Sequence, residues 1–304
     1  EIKTSGTQTY ENAITLASDT KLTAKTVTFD GNVNGEKALA ITGDSIFKGT
    51  VGYSQPLTSL SVSKTTKIVA TAITSNSNQT YSGAVTVSSE AILKATGTDS
   101  SITFSDSIIG SKKLTVDAKA KFTNTAATVS NSEIHFMNTV EGTSTVLTIQ
   151  NTQAAKFDSN ITLKNLILNS PTILNEKVEV STPVENKNNL TVGNNVVFKL
   201  PYTSTGTSAA LNAPLGNITF ESSLDFTNTK FNANNGTVTI RPITNPASNT
   251  LPIINVPAEN ANFYNLKIEY TTSDETKNTY KTLLITAGDT LVVKGKLTIK
   301  GEKL

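Results

Sequence analysis

Cysteine and tryptophan are absent from this chain, and histidine, methionine and arginine occur once each, as His135, Met137 and Arg241. Without cysteine there is no disulfide framework and no thiolate metal site, so an extracellular protein of this composition must be held by its fold alone. One imidazole cannot build a multi-histidine metal centre. One guanidinium leaves little for bidentate phosphate or base recognition. Lys and Arg number 26 against 24 Asp and Glu, a net charge of +2, so no electrostatic field draws the chain to nucleic acid or an acidic membrane. No apolar run approaches the roughly 18 residues that span a bilayer. The first residues, EIKTSGTQTY, carry no signal peptide, and the chain is expected to be a mature or excised segment.

What remains is polar and uncharged. About fifty of the 304 residues are Thr, with many Ser and Asn, while hydrophobic residues make up 37% and charged residues 16%. Thr is β-branched and suits an extended, half-exposed backbone. Asn tolerates the left-handed conformation of tight turns. Such a chain reads as many short strands and turns.

Two phrases recur. An aromatic residue is followed four positions on by Val or Ile at Tyr10/Ile14, Phe29/Val33, Phe47/Val51, Tyr81/Val85, Phe104/Ile108, Phe136/Val140 and Phe157/Ile161. A Leu-x-Val/Ile pair precedes Phe or Ile by a fixed interval in Leu39-Ile41-Phe47, Leu60-Val62-Ile68, Leu114-Val116-Phe122 and Leu190-Val192-Phe198. Both return every roughly 18 to 23 residues, the range of solenoid coils. A longer echo joins GTQTYENAITLASDTKL to SNQTYSGAVTVSSEAIL, matching Tyr10 to Tyr81.

In LSVS, LTVD and LTVG, alternate residues face one side, so Leu and Val point inward and Thr, Ser and Asp outward. Each strand is too short to bury its own apolar side, and stacking coils about 4.8 Å apart supplies the missing core. The expected fold is all-β, a right-handed parallel β-helix, with a β-sandwich as the alternative. A sandwich has no reason to repeat one phrase at coil spacing. Roughly a dozen coils at that spacing would make a rod near 60 Å.

Residues 1–241 read as coils. Residues 201–214 (PYTSTGTSAALNAP) read as a loop projecting from the solenoid. Residues 242–257 (PITNPASNTLPIINVP) are too proline-rich for a central strand and mark a break or an insertion. Residues 258–304 read as a strand excursion, NFYNLKIEY and YKTLLIT joined by the polar turn TTSDETKNT, followed by resumed coils in LVVKGKLTIKG. That end carries no polar cap, and the native chain is expected to continue past Leu304.

Candidate chemistry is sparse. His135 stands between Ile134 and Phe136, so it should point outward. Glycoside hydrolysis needs two carboxyls about 5 to 10 Å apart; stacking offers Asp99, Asp106 and Asp117 as one group and Asp30 with Asp44 as another, against the plainer reading of solvated turn carboxylates. No G-x-S-x-G elbow or phosphate-binding glycine loop is present, and glycines fall in turns such as Asp30-Gly31 and Asn235-Gly236. The Asn-x-Thr sequences at Asn78, Asn160, Asn189, Asn217 and Asn235 read as turns and strand starts. No cofactor or metal is expected. With no Trp, a stacking platform for a ligand rests on tyrosine: Tyr53 and Tyr202 in expected loops, then Tyr270 and Tyr280, with Tyr264 a further possibility.

GTQTYENAITL, VTFDGNVNGEKALAITG, SIFKGTVGYSQPLTSLSVS and DTLVVKGKLTIKG resemble repeats of large bacterial surface adhesins, the filamentous-haemagglutinin-like proteins and autotransporter passenger domains. The resemblance covers roughly residues 1 to 170 and the final coils. It implies a right-handed parallel β-helix, export across the outer membrane to the bacterial cell surface, and a role in cell adhesion and virulence with a host-cell or bacterial surface protein or glycan as partner. The reading is of a non-catalytic adhesin scaffold that presents residues 201–214 and the turn around residues 274–278. A receptor-free surface-layer or fibre protein is the alternative, and a polysaccharide-cleaving β-helix enzyme is a third.

Overall fold

A computed structural model describes residues 1–151 continuously, then 153–169, 172–174, 178–180, 184–186, 189–192, 196–198, 202–204, 209–213, 217–221, 224–226, 229–233, 235–241, 254–255, 261–269 and 292–300. Every element among them is a β-strand, and the strands stack in parallel as a β-solenoid of about 10 turns. The chain divides into two compact units, Glu1–Leu163 and Lys164–Leu304.

In the first unit each coil has three faces. The first carries Ile2–Lys3, Leu60–Val62, Gln79–Tyr81, Ser101–Phe104 and Lys119–Phe122. The second carries Thr7–Tyr10, Thr66–Ile68, Val85–Val87, Ile108–Gly110 and Ala126–Ser130. The third carries Ile14–Thr15, Val33–Asn34, Ala72–Ser75, Ala91–Ala95, Leu114–Asp117, Glu133–Phe136 and Ala154–Phe157. Thr20–Phe29, Leu39–Phe47 and Val140–Ile149 run round the corner from the first face to the second.

Register makes the core continuous. On the first face the inward column reads Ile2, Leu22, Ile41, Val62, Tyr81, Phe104 and Phe122. All of these except Ile2 are buried. The alternation of buried and part-exposed residues along each strand is the period of two that a pleated strand imposes. Aromatic rings stack down the columns. Tyr10 and Phe29 lie 5.1 Å apart, Phe29 and Phe47 5.4 Å, Tyr81 and Phe104 5.8 Å, Phe104 and Phe122 5.5 Å.

The recurring phrases turn out to be corner units rather than fixed coil positions. The aromatic ends a strand and the Val or Ile four residues on begins the next face. That corner lies between the second and third faces at Phe29/Val33, between the first and second at Phe104/Ile108, and between the third and first at Phe136/Val140. The ring column shifts accordingly, from the second face at Phe29 to the first at Phe104 and the third at Phe136–Phe157. The echo between Tyr10 and Tyr81 joins the second face to the first, so it is displaced by one face from a whole number of coils.

The second unit is built alike, with Asn189–Val192 paired to Ala209–Ala213, Val196–Phe198 to Asn217–Phe220, and Asn217–Phe220 to Thr237–Ile240. Phe198 and Phe220 stack at 5.3 Å. Within residues 201–214 the described residues are coil strands and not a projecting loop: Tyr202–Ser204 pairs with Val184–Asn186 and Ala209–Ala213 with Thr229–Ala233. The polar composition that resembles a loop includes strand positions of ordinary coils.

Thr237–Ile240 pairs directly with Asn265–Glu269 across the proline-rich stretch, and Asn265–Glu269 with Leu297–Lys300. Val238 stands opposite Leu266, and Leu266 opposite Leu297, so these turns of chain take 28 and 31 residues. Long coils are one reason the turns are fewer than the expected dozen. NFYNLKIEY forms the two coil strands Ala261–Phe263 and Asn265–Glu269. The expected YKTLLIT strand and the turn at residues 274–278 lie outside the described residues.

Candidate functional site

Of the tyrosines expected to contact a ligand, the structure puts Tyr53 outside and Tyr202 inside. Tyr53 is 76% exposed, the most exposed large apolar residue described. Tyr202 is fully buried, packed edge-on against Phe198 and Phe226 at 5.6 and 6.0 Å. Its place in Tyr202–Ser204, opposite Val184 and Leu224, turns the ring into the core, and this removes it as a surface contact. Tyr270 and Tyr280 lie outside the described residues. Tyr264 is 39% exposed beside the strand Asn265–Glu269.

Tyr53 stands on a corner loop of residues 52–57. The chain leaves the stack after Val51, which bridges Val33 and Ile73, and rejoins it at Leu57, which bridges Ser75. Gly52 has φ +66°, and a Cβ there would lie 2.1 Å from the Thr74 carbonyl oxygen, so this turn requires glycine. Ser54 N–H donates to Asn34 Oδ1 (3.3 Å), Gly35 N–H to the Gln55 carbonyl (3.3 Å), and Leu57 N–H to the Thr74 carbonyl (3.2 Å). Neighbouring coils therefore pin the loop from both sides while its aromatic ring stays in solvent.

Just beyond, at the corner from the third face to the first, the next two coils open into a groove of about 290 Å³ lined by Asn76, Ser77, Asn78, Gly97, Thr98, Asp99 and Ser100. Its floor is fixed by bonds between coils. Asn78 Oδ1 accepts the Ser101 N–H at 2.9 Å, and Asn76 Oδ1 accepts the Thr96 hydroxyl at 3.1 Å. Ser100 Oγ donates to the Gly97 and Ala95 carbonyls at 2.6 and 2.9 Å. These groove residues carried no signal in the aromatic phrases. The readable trace is spacing: Leu60 to Gln79 takes 19 residues, whereas Gln79 to Ile102 takes 23 and includes the turn Gly-Thr-Asp-Ser.

The carboxylates do not gather. Asp117 lies on the third face, paired with Lys94 at 2.9 Å. Asp106 sits at the corner between first and second faces, accepting the Ser107 N–H at 2.6 Å, and Asp99 sits at the corner between third and first. Asp30 pairs with Lys48 at 2.7 Å, while Asp44, opposite Thr26, accepts the Thr65 N–H and hydroxyl at 3.1 and 2.7 Å. The two proposed carboxylate groups are thus dispersed over different corners and faces. Further pairs, Lys113–Glu133 and Lys119–Glu141, also join adjacent coils. Arg241 reaches back to the buried Glu221 of the preceding coil.

His135 occupies an outward position on the third face, opposite Thr115 and Lys156. Its side chain is 17% exposed, and Nε2 lies 2.6 Å from Asp158 Oδ2. A carboxylate only accepts, so Nε2 carries the proton. Lys156 shares the other carboxylate oxygen at 3.1 Å. Among the described residues no group of three or more His, Cys, Asp or Glu is placed to hold a metal ion, and no helix is long and apolar enough to cross a membrane.

Burial displaces the pKa of the Tyr81 and Tyr10 phenols. That of Tyr81 is driven far above its ordinary value, and that of Tyr10 is raised. The Asn-x-Thr asparagines fall at strand starts and the turns before them, with Asn78 ahead of Gln79–Tyr81, Asn160 ahead of Ile161–Leu168, Asn189 and Asn217 opening their strands, and Asn235 ahead of Thr237–Ile240. No protein-family model, no curated protein and no solved structure matches this chain.

Proposed function

We propose that the chain is a non-catalytic segment of a secreted bacterial surface adhesin, a scaffold that presents corner loops to a host-cell or neighbouring bacterial surface. The observation that carries this reading is Tyr53. A large aromatic side chain, 76% exposed, stands on a loop already held by bonds from both adjacent coils. Aromatic residues that are rigid before binding lose little conformational freedom on contact and are favoured anchors of recognition. Supporting it are a fold made of stacked coils and the repeats that resemble haemagglutinin-like and autotransporter passenger sequences. An outer-membrane export route and a place at the cell surface follow from that resemblance.

A receptor-free surface-layer or fibre protein is the second reading. It is favoured by the charged groups, of which Asp30, Asp117, Glu133 and Glu141 each pair with a lysine of an adjacent coil. Binding of the fluorescently labelled chain to cultured epithelial cells and to intact bacteria separates the two. An adhesin binds one of these surfaces saturably, and Tyr53→Ala weakens it. A spacer binds neither.

A further inference from the structure

We propose that the corner groove of residues 76–78 and 97–100, together with Tyr53 on the loop of the preceding coil, binds a neutral oligosaccharide. This deepens the attachment reading by naming the ligand class, and it rests on that reading for its biological meaning.

The lining is one-sided in its chemistry. Asn76, Ser77, Asn78, Thr98 and Asp99 are all exposed, and together they present amide donors, hydroxyls and a carboxylate with no apolar side chain among them. The amides are oriented in advance. Asn76 and Asn78 each use Oδ1 to hold the following coil, which turns each Nδ2 amide, a donor of two hydrogen bonds, away from that contact. Asp99 supplies a carboxylate that accepts at both oxygens. Amide donors beside a carboxylate acceptor complement vicinal hydroxyls, which donate and accept from neighbouring positions.

Tyr53 adds the apolar contact that a sugar ring needs. The chain departs into the Tyr53 loop opposite Thr74 and returns opposite Ser75, immediately before Asn76. Coils lie about 4.8 Å apart, so the Tyr53 coil is one spacing from residues 76–78 and two from residues 97–100. A ligand touching both ends is therefore longer than one ring. The groove itself, about 290 Å³, falls just below the roughly 300–1,000 Å³ of small-ligand pockets, so it takes a single unit with the rest laid along the corner. Charge selects within the class: Asp99 is the only ionisable group in the lining, so uronates and other acidic sugars meet a like charge with no compensating cation.

The test is a heteronuclear NMR titration of the full chain with maltotetraose, cellotetraose and N-acetylchitotetraose, with a tetrasaccharide of uronic acids as the charged control. At least one neutral probe is expected to shift the amides of Tyr53, Ser77, Thr98 and Asp99, with the uronate silent. Tyr53→Ala and Asp99→Asn should each weaken binding about tenfold, whereas Tyr264→Ala leaves it unchanged. Both tested side chains are exposed, and an unaltered amide spectrum elsewhere verifies the fold. If no neutral probe shifts these amides, or if Tyr53→Ala binds as the parent does, the assignment is overturned. Cell binding measured in parallel separates the two readings. Retention of the silent chain by cells leaves attachment standing through another surface, and loss of both removes both.

Discussion

Tyr81 carries a hydroxyl into the buried core, and the residue two positions before it makes this tolerable. Its hydroxyl donates to Gln79 Oε1 at 2.8 Å, and Gln79 Nε2 donates to the carbonyls of Lys94 and Ile73 at 2.8 and 3.2 Å. Gln8 and Tyr10 repeat the arrangement, with Gln8 reaching the carbonyls of Ile2 and Thr23. The sequence echo Gln-Thr-Tyr is thus a polar unit that satisfies itself, and it works on whichever face it lands. Folded Tyr81 keeps its proton at a pH where the unfolded phenol, with a pKa of about 10, has lost it. The native state then binds more protons than the unfolded one, so stability is intact below that pH and falls above it, by about 1.4 kcal/mol per unit for this group. Chemical denaturation from pH 9 to 11 (about one unit either side of the phenol value) should show a steeper loss for the parent than for Tyr81→Phe. Parallel slopes would mean that the phenol is accessible in the folded chain. Tyr53 and Tyr202 show what composition can and cannot tell at this scale. Both stand among Pro, Gly, Ser and Thr, yet Tyr53 belongs to the residues that leave the stack, while Tyr202 falls on the inward phase of a strand. Only the register against Val184 and Leu224 decides between them.

The elements are short, and their corners are held by side chains acting across one coil. Asn32 Oδ1 accepts the Thr50 N–H at 2.9 Å, Asp19 Oδ1 the Ala38 N–H at 2.9 Å, Asp44 Oδ1 the Thr65 N–H, Asn78 Oδ1 the Ser101 N–H, and Asn151 Oδ1 the Asn131 N–H at 3.0 Å. Strand hydrogen bonds stop where the chain turns, and these Asn and Asp groups satisfy the backbone donors left over. Asn78→Ala leaves the buried Ser101 N–H without an acceptor and should cost about 1–3 kcal/mol in urea denaturation, while Ser77→Ala, one residue away and exposed, changes little. Gly52→Ala places a side chain at positive φ and against the Thr74 carbonyl. It should destabilise by about 1–3 kcal/mol and displace the Tyr53 loop, which amide shifts confined to residues 51–58 would reveal. The strands themselves were legible because alternation and aromatic spacing are local. Their face was not, since a phrase of strand, corner and strand closes equally well at any of the three corners. Staples between coils were legible only in kind: Asn in turns is readable, but its partner some twenty residues on is set by stacking.

Across the whole chain, the coil period is close to constant until Thr237–Ile240 and then lengthens to 28 and 31 residues. The proline-rich stretch read from the sequence as a break or an insertion interrupts the phrase without interrupting the pairing, because Val238, Leu266 and Leu297 remain opposite one another. The division into units falls at Leu163, just past the aromatic phrase Phe157/Ile161 and where the chain becomes markedly richer in Asn. Stacked coils contact mainly their neighbours, so each coil shields the apolar column of the next. That relation is specific enough to test by covalent trapping, and the absence of cysteine makes the background clean. Thr80 lies opposite Thr103 in register, and Thr103 opposite Lys121, with all three side chains on the outward side of the first face. Adjacent coils fall within the roughly 4.4–6.8 Å Cα separation a disulfide needs, and coils two apart fall beyond it. Oxidation of the double variant Thr80→Cys/Thr103→Cys should form an intramolecular disulfide with the folded spectrum retained, while Thr80→Cys/Lys121→Cys should stay reduced. Equal trapping of both pairs, or trapping of the second alone, would contradict in-register parallel stacking.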